Sequence, residues 1–256
     1  MPKLHIVKLA LFAAVCSSAM PLIAGPVTLA LVESDGSVAA AGARTALMAT
    51  GDFSSITIID TNTSTPTLSQ LNGYTDVLAW TNFIPADSTG LGDVLAQYYA
   101  GGGHHLTVGT YGFSDPWEID GQIMTGAYAG LTNVHTNGDV KGTLHAVVPG
   151  DPIFSGIDLA TLTYFHNNNF AHPGLAAGAT LLADDGAGVD MIARSANGVI
   201  DVNLYAGAHS PNNQEFYQLL ANTLTASPSA VPEPSTILLL SAGLLTLGIR
   251  RLRRNG

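Results

Sequence analysis

Cysteine is almost absent. Cys16 is the only one in the chain, and it lies in an N-terminal segment that reads as removable. Without it the rest of the chain has no thiolate nucleophile, no disulfide, no CxxC pair and no cysteine-rich zinc site. Basic residues are nearly as scarce. Only Arg44, Lys141 and Arg194 lie between residues 25 and 230, against eighteen acids, so this body carries a formal charge of −15 with histidine neutral. Phosphate backbones need clustered Lys and Arg, so nucleic acid is excluded as a partner. Such acidity suits a well-solvated exported protein and attracts divalent cations, but it says nothing about fold. Helical His-x-x-x-His and HExxH spacings are missing too.

The cations that the body lacks sit at the two ends. Lys3 and Lys8 precede a mostly apolar run from Leu9 to Ala24, too short for a bilayer span. Ala19, Ala24 and Gly25 offer small residues for cleavage, which completes the pattern of a secretory signal peptide. Ala-Ala-Val before Cys16 lacks the small residue that a lipidated cysteine needs immediately ahead of it. At the other end, Ile237 to Ile249 holds no charge. As a helix this stretch covers about 20 Å, short of a hydrocarbon core of ~30 Å. Starting at Ser235 and letting the arginines snorkel closes much of the gap. Arg250, Arg251, Arg253 and Arg254 then mark the cytoplasmic side. Pro232 and Pro234 place a stiff extended element just outside. A helix buried in the body would account for the apolar run, but not for the arginines, the prolines or the Ser/Pro-rich lead-in from Thr225 to Val231.

Val231-Pro232-Glu233-Pro234-Ser235, followed by a short apolar helix and terminal arginines, resembles the PEP-CTERM sorting signal of Gram-negative bacteria over residues 231–254. That resemblance implies the Sec export machinery and an exosortase, a membrane-embedded transpeptidase-like enzyme that cuts near the Pro-Glu-Pro motif. It implies a body held outside the inner membrane, then released or transferred to the cell surface or matrix, with exopolysaccharide as a partner. The expected organisation is a signal peptide over 1–24, a body over 25–226, a linker over 227–234, and a transmembrane sorting helix with its basic tail over 235–254.

Within the body, Val27–Glu33, Ser55–Asp60, Asp76–Thr81 and His104–Thr110 read as strands. Ser37–Met48, with Ser37 as N-cap, and Leu91–Ala100, ended by Gly101-Gly-Gly103, read as helices. Alternating strands and helices with short links predict an α/β fold with a doubly wound, mostly parallel sheet. Further on, Ala179–Ala183, Val189–Ala193 and Val199–Tyr205 are strands separated by Asx-Gly turns, which predict antiparallel hairpins. Asn213–Leu224 reads as a closing helix. Residues 113–178 read as long loops, which often carry function.

Asp76-Val-Leu-Ala-Trp-Thr-Asn82, the Leu91–Gly103 helix running into a strand, Gly150-Asp-Pro-Ile-Phe-Ser-Gly156, and Val199–Tyr205 with Leu219–Leu224 resemble the flavodoxin-like, class I glutamine amidotransferase-like fold, in exported versions that depart from the enzymes. In that family a cysteine nucleophile stands on a tight elbow after the fourth strand. Here Thr110 or Tyr111 occupies the place, and Ser114 is the nearby serine. His209 stands near the family's histidine, and Glu215 lies farther along than the family's acid. The resemblance therefore implies a degenerate, non-catalytic site.

Three readings follow. The first is a non-enzymatic surface or matrix protein. The second is a cryptic hydrolase pairing His209 with Thr110 or Ser114. The third is a carbohydrate- or cation-binding module, its ligand held outside the strand ends by Glu33, Asn82, Tyr111, Trp117 and His209. No cofactor is expected. His104 and His105 point to opposite faces of a strand and cannot share an ion. His166 and His172 bracket a polar loop where two imidazoles approach. Asp184-Asp185-Gly-Ala-Gly-Val-Asp190 lacks the alternating acids and closing Glu of a calcium-binding loop and reads as a hairpin turn, leaving only weak calcium binding.

Overall fold

A computed structural model describes residues 26–225. The expected signal peptide, Val231–Pro234, the sorting helix and the terminal arginines lie outside the described residues. Among the described residues no helix is long and apolar enough to cross a membrane.

Three βα steps and a fourth strand open the described domain. Strand β1 (Thr28–Ser34) leads to helix α1 (Ser37–Met48), then β2 (Ser55–Asp60), α2 (Leu68–Leu71), β3 (Asp76–Thr81), α3 (Ser88–Ala100) and β4 (His105–Thr110). An insertion follows, with short strands β5 (Asn137–Gly138), β6 (His145–Ala146) and β7 (Phe170–Ala171). Strands β8 (Thr180–Asp184), β9 (Asp190–Arg194) and β10 (Ile200–Tyr205) and helix α4 (Gln214–Thr225) complete the domain. The main sheet has the order β2-β1-β3-β4-β10-β9-β8-β6. From β2 to β10 neighbouring strands are parallel, and from β10 to β6 they are antiparallel. This is the flavodoxin-like arrangement extended by a hairpin edge.

Periodicity explains the two layers. Along β1, Leu29 and Leu31 join Ala43 and Leu47 of α1 and Leu219 and Leu220 of α4 in one core. Ala30 and Val32 face the other way and join Leu71 of α2 and Leu91, Leu95 and Tyr98 of α3. An inner parallel strand covered on both faces must be apolar through its middle, as Leu29–Val32 of β1 and Val77–Trp80 of β3 are.

Helix starts differ from the expected ones for local reasons. Asp87 accepts a hydrogen bond from Gly90 N at 2.9 Å, so α3 begins before the first periodic leucine. Ser37 is the first helical residue of α1 rather than its cap. Gly36 holds the cap position, and no side chain caps it.

The hairpin turns form as expected. Gly198 sits at φ 102° between β9 and β10, a conformation only glycine enters freely, and a Cβ there would meet Tyr99 Oη at 2.7 Å. The insertion is pinned to the sheet by two buried polar residues of β10. Asp201 Oδ2 accepts from the backbone N–H groups of Gly130 (2.8 Å) and Leu131 (2.9 Å). Asn203 Nδ2 donates to Ala171 O at 2.9 Å.

Candidate functional site

The parallel strands deliver their C-terminal ends to one edge of the sheet, and the insertion folds over it. Between them lies a cavity of about 170 Å³, lined by Asn82, Tyr111, Trp117, Phe165, Asn167, Asn169, Tyr205 and His209. Asn82 follows β3, Tyr111 follows β4, Tyr205 ends β10, and Phe165, Asn167 and Asn169 come from the insertion.

Aromatic packing shapes the walls. The Tyr111 ring lies 5.3 Å from Trp117, 5.4 Å from Phe170 and 5.5 Å from Tyr205, centroid to centroid. Phe165 packs on Tyr205 at 5.8 Å and on the His209 imidazole at 4.2 Å. These separations are those of mutually attractive tilted and edge-to-face rings.

A buried carboxylate fixes the floor. Asp35, at the junction of β1 and α1, is 5% exposed. It accepts from Tyr205 Oη (2.6 Å), Trp80 Nε1 (2.9 Å), Asn82 Nδ2 (3.0 Å) and Gly36 N (2.6 Å). Thr81 Oγ1 donates to Trp117 O at 2.6 Å and sets the indole in place. Burial pushes the Tyr111 phenol up to about 12. Burial, and then the hydrogen bond to Asp35, raises Tyr205 as well. Both phenols stay protonated at neutral pH.

Several polar atoms remain free. Asn82 Oδ1, Asn167 Nδ2, the Asn169 amide, Trp117 Nε1 and His209 Nε2 make no hydrogen bond among the described residues. They mix donors and acceptors, and His209 is the one titratable group among them.

Four of the residues expected at the crevice, Asn82, Tyr111, Trp117 and His209, do meet on this wall. Glu33 does not. It lies on an inner strand beside Asp60 and Trp80, is 2% exposed, and leaves Oε2 without a partner among the described residues. Burial, followed by the charges of Asp60 and Asp35, pushes its carboxyl up to about 7.

The hydroxyls of the hydrolase reading are not brought to the imidazole. Thr110 Oγ1 is buried and donates to Asn203 Oδ1 at 3.0 Å. Ser114 is fully buried, its Oγ without a partner among the described residues. His209 is exposed, with Nδ1 2.7 Å from Ser210 O. Glu215 accepts from Thr161 Oγ1 at 2.6 Å instead of orienting a histidine. After β4 the chain runs through turns, not into a helix, so no strand-to-helix elbow forms.

The histidines are dispersed. His104 stacks on Tyr98, and His105 Nδ1 lies 2.7 Å from Asp76 Oδ1. His166 pairs with Asp139 Oδ1 at 3.7 Å, and His172 Nε2 meets Asp139 O at 2.9 Å. Among the described residues no group of three or more His, Cys, Asp or Glu is arranged to hold a metal ion. In the β8–β9 turn, Asp185 accepts from the N–H groups of Ala187, Val189 and Lys141. Burial alone would raise its pKa, but those donors and the Lys141 charge outweigh it and hold the carboxyl low.

Sequence reading missed Asp35, Phe165, Asn167, Asn169 and Tyr205 as site residues. An acid at a strand end just before a helix, and the Asn167-Asn-Asn169 run, were the available signals.

The PEP-CTERM protein-sorting motif matches residues 230–254 of this chain. The motif carries export, a C-terminal anchor before processing, and an exosortase as the processing partner. Among curated proteins none matches the chain. Among solved structures, the fold is similar to the 1.75 Å crystal structure of a protein described as ThuA-like from Parabacteroides merdae. That likeness has a TM-score of 0.52 and 12% sequence identity, and it covers 82% of this chain and 94% of that one. At that identity the likeness is one of fold. It says nothing of catalysis.

Proposed function

We propose that this is an exported surface or matrix protein whose domain binds, and does not convert, one sugar unit of a neutral polysaccharide. Residues 1–24 serve as its leader and 235–254 as its temporary anchor, cut by an exosortase near Val231–Pro234. The observation that carries the binding role is the cavity wall itself. Rings of Tyr111, Trp117, Phe165 and Tyr205 stand beside the free Asn82 Oδ1, Asn167 Nδ2 and Asn169 amide. A sugar ring offers the matching surface, with apolar C–H faces and a hydroxyl rim that both donates and accepts. The cavity of about 170 Å³ falls below the ~300 Å³ at which drug-sized pockets begin, so it suits a single ring. Engagement of Thr110 by Asn203 and the separation of both hydroxyls from His209 favour binding over hydrolysis.

Titration calorimetry of the purified protein against a panel of neutral mono- and oligosaccharides tests this. One sugar class is expected to bind, and Trp117→Ala to weaken it by about tenfold, the ~1.4 kcal/mol that one ring contact supplies. Binding by no sugar, or shortening of the oligosaccharide on incubation, overturns the proposal.

A further inference from the structure

The two ends of the parallel sheet differ in where the chain leaves. The crevice collects the last residues of the strands, with Tyr111 following β4 and Tyr205 ending β10. Helix α4 runs back from that edge. Near its end, Thr223 accepts a hydrogen bond from Thr107 Oγ1 at 2.9 Å. It also shares a cavity of about 300 Å³ with His105 and Ile200, the first residues of β4 and β10. Asn222 likewise donates to Ile153 O and Ser155 O, away from the crevice. The last described residue, Thr225, therefore stands at the edge of the sheet opposite the crevice.

From there residues 226–231 lead to the Pro-Glu-Pro motif, and residues 226–234 to the expected start of the anchor at Ser235. Fully extended, those nine residues reach no more than about 32 Å. A domain of this size has a radius of gyration near 16 Å and is about 40 Å across. The link is thus shorter than the domain is tall. It allows tilting, but it does not allow the domain to turn over and set its crevice on the bilayer.

We infer that, before processing, the domain stands on the membrane by the end holding the starts of β1, β3, β4 and β10 and presents its crevice away from the lipid. The inference rests on the reading of 235–254 as an anchor. The membrane-facing end includes Asn72 and the start of β3, where Thr75 N donates to Thr28 O at 3.1 Å. The outward end includes Phe83, half-exposed just after β3, whose N–H donates to Ser34 O at 2.8 Å.

Those two positions make a ruler. Full-length protein carrying Cys16→Ser and either Asn72→Cys or Phe83→Cys is labelled with a fluorophore in vesicles that lack exosortase and contain spin-labelled headgroup lipids. Quenching at position 72 is expected to exceed that at position 83 by about twofold or more, given the ~20 Å that β3 spans. Equal quenching at both sites, or stronger quenching at 83, refutes the orientation and leaves the anchor intact. Quenching at neither site above a detergent-solubilised control refutes the anchor, and the orientation with it.

Discussion

Replacing Asp35 with alanine tests whether a single carboxylate pins the crevice. Its four donors come from β3, β10, the chain after β3 and the start of α1. Trp80 is 0% exposed and Tyr205 is 3% exposed, so neither N–H nor O–H finds water once the carboxylate is gone. A buried donor left unpaired costs about 1–3 kcal/mol. Two such donors, with Gly36 N–H and the Asn82 amide better able to rehydrate, put Asp35→Ala at about 4 kcal/mol out of the ~5–15 kcal/mol typical of a domain. That corresponds to a fall in Tm of roughly 12 °C for a chain of this size. Tyr205→Phe removes one donor and leaves the carboxylate three others, so it is expected to cost only about 1 kcal/mol. Urea and thermal unfolding of the purified protein measure both, and a sugar titration follows the loosening of Asn82 and Tyr205. If Asp35→Ala loses less than Tyr205→Phe, the carboxylate is not what holds the floor, and the reasoning fails.

Glu33 and Asp201 are both pushed from their ordinary values of 4.5 and 3.8 up to about 7, chiefly by burial. Between those limits the folded state keeps protons that the unfolded chain has released, so stability is expected to fall as pH rises from about 4.5 to 7 and to level off above. Chemical denaturation at stepped pH measures the slope, and Glu33→Gln and Asp201→Asn should each flatten it. Gly198→Ala forces a side chain into a left-handed turn against Tyr99 Oη and is expected to cost about 1–3 kcal/mol, read as a lowered urea midpoint. Asn203→Leu severs both Thr110 and Ala171 from β10. It should raise proteolytic cleavage within the insertion while leaving cleavage in the β1–α3 half unchanged on a time-course gel.

The first half of the fold was legible because its two periods are clean. Leu29, Leu31, Ala30 and Val32 alternate across β1, and Leu91, Val94, Leu95 and Tyr98 recur along α3. Strand β10 shows where such reading stops. Ile200-Asp-Val-Asn-Leu-Tyr205 alternates as a strand with one wet face would, yet Asp201 is 1% exposed and Asn203 0%. The cover is the insertion, whose tight turns and two-residue strands have no period to detect. For the same reason Phe165, Asn167 and Asn169 could not be placed on the crevice. Asn82, Tyr111 and Trp117 could, because a parallel α/β topology gathers strand ends whatever the loops do. Glu33 misled because a charged residue at a strand end reads as exposed, whereas an inner strand with neighbours on both sides buries it.

What became of the polar groups at those strand ends bears most directly on chemistry. The hydroxyl of Thr110 goes to Asn203, that of Thr81 to Trp117 O, and that of Tyr205 to Asp35. Each supports the wall, and none is left to attack a substrate. With Tyr111 at about 12 and Tyr205 also raised, neither phenol acts as a base near neutrality. The groups that stay free are amide atoms, an indole N–H and one exposed imidazole, a set that both donates to and accepts from hydroxyls. A crevice built this way gains from being rigid and outward-facing and gains little from being close to the membrane. That is the disposition a short C-terminal link at the far end of the sheet imposes.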